Sequence, residues 1–313
     1  MTENLGNARA DGRDEISVAD MKSADIENNG IAADDIAADD IADSDIASDP
    51  FGEYVRQTEP QRKRLAYSWY TAIGLQAADG LTASEYLKKT ARNNIEGKIT
   101  LREAGKLIET YYEHKTAKTA DRTAEADIVS AHIASILSDN SFTFAVPQLL
   151  RIHKSLFNGV YSHAGKIRNY NISKKEWILN GESVIYGNAA DISAMLEYDF
   201  RAEKEFDYPQ NSIVGIIPHL AGFIARLWQI HPFEEGNTRA ASVFFIKYLR
   251  TMGFSVTNDI FAGNAWYFRN SLVRANYNDL SNGIRETTEY LELFLRNLLL
   301  NENNELKNRN LHI

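Results

Sequence analysis

The chain has 313 residues, of which 44% are hydrophobic and 11% aromatic, enough for a packed core and about two domains by length. It contains no cysteine, which excludes disulfides, thiolate catalysis and cysteine-held zinc, so any metal must sit on oxygen or imidazole. The net charge of −9 is concentrated in residues 1–50, where 14 acids face three bases, and the remainder is near +2, which gives no basis for direct nucleic-acid binding.

No stretch approaches the roughly 18 to 20 uncharged apolar residues of a membrane span. The N-terminus lacks the basic, then apolar pattern of a secretory signal, so a cytoplasmic location without membrane contact is expected, with export as an effector left open. Between Ile31 and Asp49 the chain repeats with a five-residue step (Ile31-Ala-Ala-Asp-Asp, Ile36-Ala-Ala-Asp-Asp). Such a step places successive Ile about 140° apart around a helix, so no apolar stripe forms. With high like charge and no aromatics, residues 1–52 are expected to be a disordered acidic tail, serving as solvated chain, docking peptide or export signal.

From Pro60 the apolar spacing becomes helical. Leu65, Trp69, Ile73 and Leu75 suit a helix ended by Gly80. Ala83 to Asn93 suits a second with Thr82 as N-cap, and Leu101 to Tyr112 a third after Thr100. This helical segment, 53–115, ends in a polar stretch, and Ile128 to Leu137 and Pro147 to Phe157 read as further helices. Trp177-Ile-Leu179 and Val184-Ile-Tyr186 flank Asn180-Gly181, the pattern of a β-hairpin. Helices resume at Ile192 to Phe206 and at Ile213 to Gln229, where eight apolar residues recur at three- and four-residue spacing. Arg239 to Met252, stopped by Gly253, then Trp266 to Asn276 and Thr287 to Leu300 complete an all-α plan with one hairpin.

The chemistry gathers in His231-Pro-Phe-Glu-Glu-Gly-Asn-Thr-Arg239, between two of these helices. Pro232 stops the first helix, and Gly236-Asn237 open the next. A Gly-containing loop at a helix start offers unpaired N–H groups and the positive end of a dipole, hence an anion site suited to phosphate. Arg239 can add a charged fork, Glu235 a hard oxygen for Mg²⁺ held mainly by phosphate and water, and His231 a base of the right range. Phe233 reads as the plug that fixes the loop to the core.

This stretch resembles the active-site signature of the Fic family of protein adenylyltransferases, matching it at seven of nine ordered positions. The resemblance extends over residues 145 to 255, within a core expected to occupy 116–313, and His163-Ala-Gly-Lys-Ile-Arg168 resembles the lead into that family's flap hairpin, here about Lys174 to Tyr186. It implies an all-α Fic-type core and transfer of AMP from ATP, as co-substrate with Mg²⁺, to a Tyr, Thr or Ser hydroxyl of a target protein. It assigns His231 as base, Glu235 as metal ligand, Gly236, Asn237, Thr238 and Arg239 to the phosphates, Asn276 to the adenosine, and Trp177 and Ile178 to a flap that holds the target by strand addition. Self-association is also common in such proteins.

Two positions depart from the pattern. Thr238 and Ser242 stand where many family loops have a second Gly and a second Arg, and relatives with altered loops move phosphate or phosphocholine. A phosphate-group transferase on the same fold, or a non-catalytic nucleotide-binding adaptor, therefore stays open. Ala91 to Gly97 resembles the inhibitory helix of antitoxins and regulatory segments in this family, with Glu96 as the inhibitory side chain. Arg92 stands where that motif has Ser or Thr, and Ser242 replaces the Glu's usual Arg partner.

Overall fold

Helical periodicity and cap chemistry account for most of what the chain builds. The computed structural model describes residues 50–55, 59–113, 121–208, 212–256 and 260–313, so the pentapeptide repeat lies outside the described residues. Phe51, placed in the tail by the sequence, is fully buried beside the first short helix, α1 (Gly52–Val55). Helix α2 (Pro60–Gly74) starts on its proline and continues into a 3₁₀ turn, Leu75–Asp79, that Gly80 ends at φ 65°.

Helix α3 (Glu85–Ile95) is capped by Ser84 rather than Thr82: the Ser84 hydroxyl accepts from Leu87 N–H at 3.1 Å and donates to Asp127. Helix α4 (Leu101–Glu113) begins after Thr100 as expected and carries a reciprocal cap, Thr100 N–H donating to Glu103 at 2.7 Å and Glu103 N–H to Thr100 at 3.2 Å. Helices α5 (Asp121–Ser138) and α6 (Val146–Phe157) follow, with α2 and α4 packed on α5 and α5 in turn on α6.

The expected hairpin is not formed, and no strand occurs among the described residues. Asn180 and Gly181 do adopt the left-handed backbone of a turn, φ 53° and 90°. Trp177–Leu179, however, coils into a 3₁₀ turn, because Ile178 and Leu179 are both drawn fully into the core and cannot alternate sides as a strand requires. Closure rests on Glu176 N–H to the Glu182 carbonyl at 2.9 Å. The outer side meets the C-terminal stretch: Ile313 N–H donates to the Ile178 carbonyl at 3.2 Å, and Trp177 lies edge-on to His312.

Helix α7 (Ile192–Glu205) leads to α8 (Ile213–Ile230), whose stripe from Ile216 to Trp228 is buried under α7, α9 (Asn237–Thr251), α11 (Ala265–Arg274) and α12 (Glu289–Leu300). Contrary to the sequence reading, one stretch, α8, is long and apolar enough to cross a membrane, but more than half of it is buried inside the molecule, as befits a core helix. Each Leu, Ile or Phe so buried contributes about 1.5–3 kcal/mol. Between α9 and α11 lies the short α10 (Ile260–Gly263). Helices α8 and α9 are the two rigid walls between which the His231 loop is stretched.

Candidate active site

His231 ends α8. Its own backbone turns into the left-handed region, φ 49°, which stops the helix and points the ring back along it. Nδ1 lies 3.2 Å from the Trp228 carbonyl, which can only accept, so Nδ1 carries the proton and Nε2 keeps its lone pair. Nε2 is buried and has no hydrogen-bond partner among the described residues. Burial, and after it the positive charges of Lys174, Arg168 and Arg269, hold the imidazole well below its ordinary pKa and therefore neutral. The site thus contains a buried neutral imidazole with a free acceptor nitrogen.

The loop after it is stapled from inside. The Asn237 side chain accepts from Phe233 N–H at 2.9 Å and donates to the Phe233 carbonyl at 2.8 Å, so its amide is spent on shape rather than free for a phosphate. The Thr238 hydroxyl accepts from the Trp228 indole at 3.0 Å, and Ser242 donates to the Thr238 carbonyl at 2.8 Å. The two departures from the family pattern therefore have inward-facing structural partners. Gly236 sits at φ 75° against Phe157, where an added Cβ would meet the ring at 2.2 Å. Among the described residues no backbone hydrogen bond is made by the N–H groups of Asn237, Thr238 or Arg239, which leaves the first turn of α9 with uncommitted donors.

Arg239 is placed differently from expectation. It is 2% exposed and points into the N-terminal helices, with Nε 2.5 Å from Asp79, Nη2 2.7 Å from Glu125 and Nη1 donating to Gln76 at 3.1 Å. Its guanidinium also lies 4.8 Å over the Phe157 ring. Burial disfavours the charge, but Asp79, then Tyr161 and Glu125, outweigh it and hold the group above its usual value.

Glu235 has a half-exposed carboxylate 3.1 Å from Lys174. Among the described residues no three His, Asp or Glu side chains gather to hold a metal by themselves. One carboxylate suffices only for a cation that takes its remaining ligands from phosphate and water, as Mg²⁺ does, and Glu235 fits that requirement. Asn276 donates its amide to the Ala225 and Leu272 carbonyls, at 3.0 and 2.9 Å. Glu96 caps the end of α3, accepting from Tyr54 at 2.6 Å and pairing with Lys98 at 2.5 Å. These contacts set neither side chain on the loop.

Two residues to which the sequence reading gave no role at the site, Arg168 and His153, hold the loop in place. Arg168, 4% exposed, donates to the carbonyls of His231 (2.7 Å), Tyr170 (2.6 Å), Gly187 (2.5 Å) and Ile230 (3.3 Å), tying the flap segment to the end of α8. His153, on α6, accepts at Nδ1 from Gly165 N–H at 2.8 Å and donates from Nε2 to the Glu235 carbonyl at 2.9 Å. Its ring stacks on Phe233 at 3.7 Å, which confirms Phe233 as a buried plug. Both make contacts more than 60 residues away in sequence, which local patterns do not encode.

A neutral imidazole at one lip of the loop, a carboxylate on it and a bare helix N-terminus at the other lip thus lie together between α8 and α9. Residues 143–249 match the family model described as Fic/DOC family, and this match supports family membership for the segment that carries the loop and its two walls. Compared with the curated proteins, the chain has no match.

Proposed function

We propose that the chain is a transferase that moves AMP from ATP to a hydroxyl side chain of a target protein. The observation that carries this reading is the free Nε2 of a neutral His231, set across a short loop from the uncommitted N–H groups of α9. In the proposed step the target oxygen attacks the α-phosphorus while Nε2 takes the hydroxyl proton. The bond from that phosphorus to the bridging oxygen breaks, and pyrophosphate leaves with the electron pair. The protein's share is positioning and charge stabilisation. Glu235 is the residue we assign to Mg²⁺, which would supply charge neutralisation on the phosphates when bound.

Transfer of the γ-phosphate is the second reading, favoured by Ser242, which is fully buried and brings no cation to the end of the triphosphate. Incubation with ATP labelled at the α- or the γ-phosphate separates the two: label entering protein from the γ position alone overturns AMP transfer. A His231→Asn variant that still transfers would remove His231 as the base. A variant and wild type that both bind nucleotide without transfer would leave the adaptor reading. Restraint by Glu96 belongs to the same proposal, and Glu96→Gly is expected to raise auto-modification, with unchanged activity removing it.

A further inference from the structure

Among the described residues, Lys174, Arg168 and Arg269 are cations whose charge bears on His231. Two of them are not available to a substrate. Arg168 is spent on four carbonyls, and Arg269 forms a two-pronged pair with buried Glu176, at 2.7 and 3.1 Å. Arg239, which the loop pattern assigns to phosphate, is likewise closed off by two carboxylates and a glutamine in the interior. Lys174 is of another kind. It lies on the segment facing the loop, about a quarter exposed, and among the described residues its ammonium meets a single partner, the half-exposed carboxylate of Glu235 at 3.1 Å. A flexible ammonium on one exposed carboxylate exchanges partners cheaply, whereas extracting a buried, doubly paired guanidinium leaves buried carboxylates unpaired and is strongly disfavoured.

We propose that Lys174 is the cation that receives the donor's phosphates, leaving Glu235 as it does so, and that Arg239 instead binds the loop to the N-terminal helices. The inference deepens the transferase reading and rests on it for the identity of the donor, but its core is a polyphosphate site built from Lys174 and the first turn of α9. A strongly hydrated point charge on a four-carbon stem suits this exchange. Release of Glu235 would free that carboxylate for a divalent cation, so polyphosphate and metal are expected to strengthen each other's binding by the same factor.

The test is calorimetric binding of tripolyphosphate, ATP and adenosine to the full chain, with and without Mg²⁺, for wild type, Lys174→Ala, Lys174→Arg and Arg239→Lys, each with its thermal midpoint. Lys174→Ala is expected to weaken tripolyphosphate and ATP by about tenfold or more, the weight of a charge-assisted bond, at an unchanged midpoint and with adenosine unaffected. Lys174→Arg is expected to retain most of the affinity, and Arg239→Lys to lower the midpoint. Equal tripolyphosphate affinity in wild type and Lys174→Ala overturns the inference, as does a selective loss in Arg239→Lys at an unchanged midpoint. If wild type transfers α-label while Lys174→Ala binds normally, the inference fails and the transferase reading stands. If Lys174→Ala loses tripolyphosphate while wild type transfers nothing, the site stands and the reading fails. A wild type that binds neither anion overturns both.

Discussion

The ring of Tyr186 lies 4.2 Å from that of His231, tilted by 41°, and its hydroxyl donates to Glu176 at 3.1 Å. Because Glu176 is itself paired with Arg269, the aromatic cover over the base is tethered to α11 across the flap segment. The same cover that keeps the imidazole dry keeps it neutral.

Removing the cover should rehydrate the base. Burial is the largest cause of the lowered His231 pKa, so Tyr186→Ala is expected to move that pKa upward, toward its ordinary value. The His231 ring proton, followed by NMR against pH, should titrate at higher pH in the variant. An unchanged titration would show that the charges of Lys174, Arg168 and Arg269, rather than burial, set the value.

Acid should loosen the molecule through His153. Burial lowers this imidazole from 6.5 to about 4, and the lone pair that protonation would consume is the one accepting Gly165 N–H. A depressed folded-state pKa gives stability that is present above pH 6.5 and is lost as pH falls toward about 4. The full amount is about 3 kcal/mol. Urea unfolding midpoints between pH 7 and 4.5 should fall more steeply in wild type than in His153→Gln, which keeps a donor and an acceptor but cannot titrate.

Gly236→Ala should damage the loop twice over. The left-handed backbone costs any Cβ about 1 kcal/mol, and the clash with Phe157 adds about 1–3 kcal/mol of overpacking. A lowered thermal midpoint, partly recovered by adding Phe157→Leu, is the expected result. No recovery in the double variant would place the strain in the backbone alone.

Arg168→Lys keeps the charge and loses the fork. A lysine cannot span four carbonyls, and the buried acceptors left behind should cost about 3 kcal/mol or more. Thermal unfolding measures the loss, and a drop of no more than a degree or two would show that the carbonyls find other donors.

Local chemistry was legible in the sequence where the cause is local. Thr100, Gly80 and Gly253 mark helix ends as expected, the two walls of the loop were visible as periodic apolar stripes, and His231 stands between them. What failed depends on contacts across the fold. Asn180-Gly181 makes its turn, but the burial of Ile178 and Leu179 decides against strands. Asn237 and Arg239 carry the right residue types, yet which polar groups they meet, Phe233 for one and Asp79 and Glu125 for the other, follows from helices that pack only after folding. Cap position erred by two residues at α3 because Asp127, far along the chain, recruits Ser84.

The pairing of Arg239 with Asp79 and Glu125 also bears on how this loop could be transplanted. Both carboxylates, and Gln76 with them, lie outside the matched residues 143–249, whereas the arginine lies within. Excised along the family boundary, the segment would carry a bare guanidinium on a face shaped to exclude water. A shortened version would need residues from about 59 onward, or a neutral replacement at 239, before its loop could be expected to keep its shape.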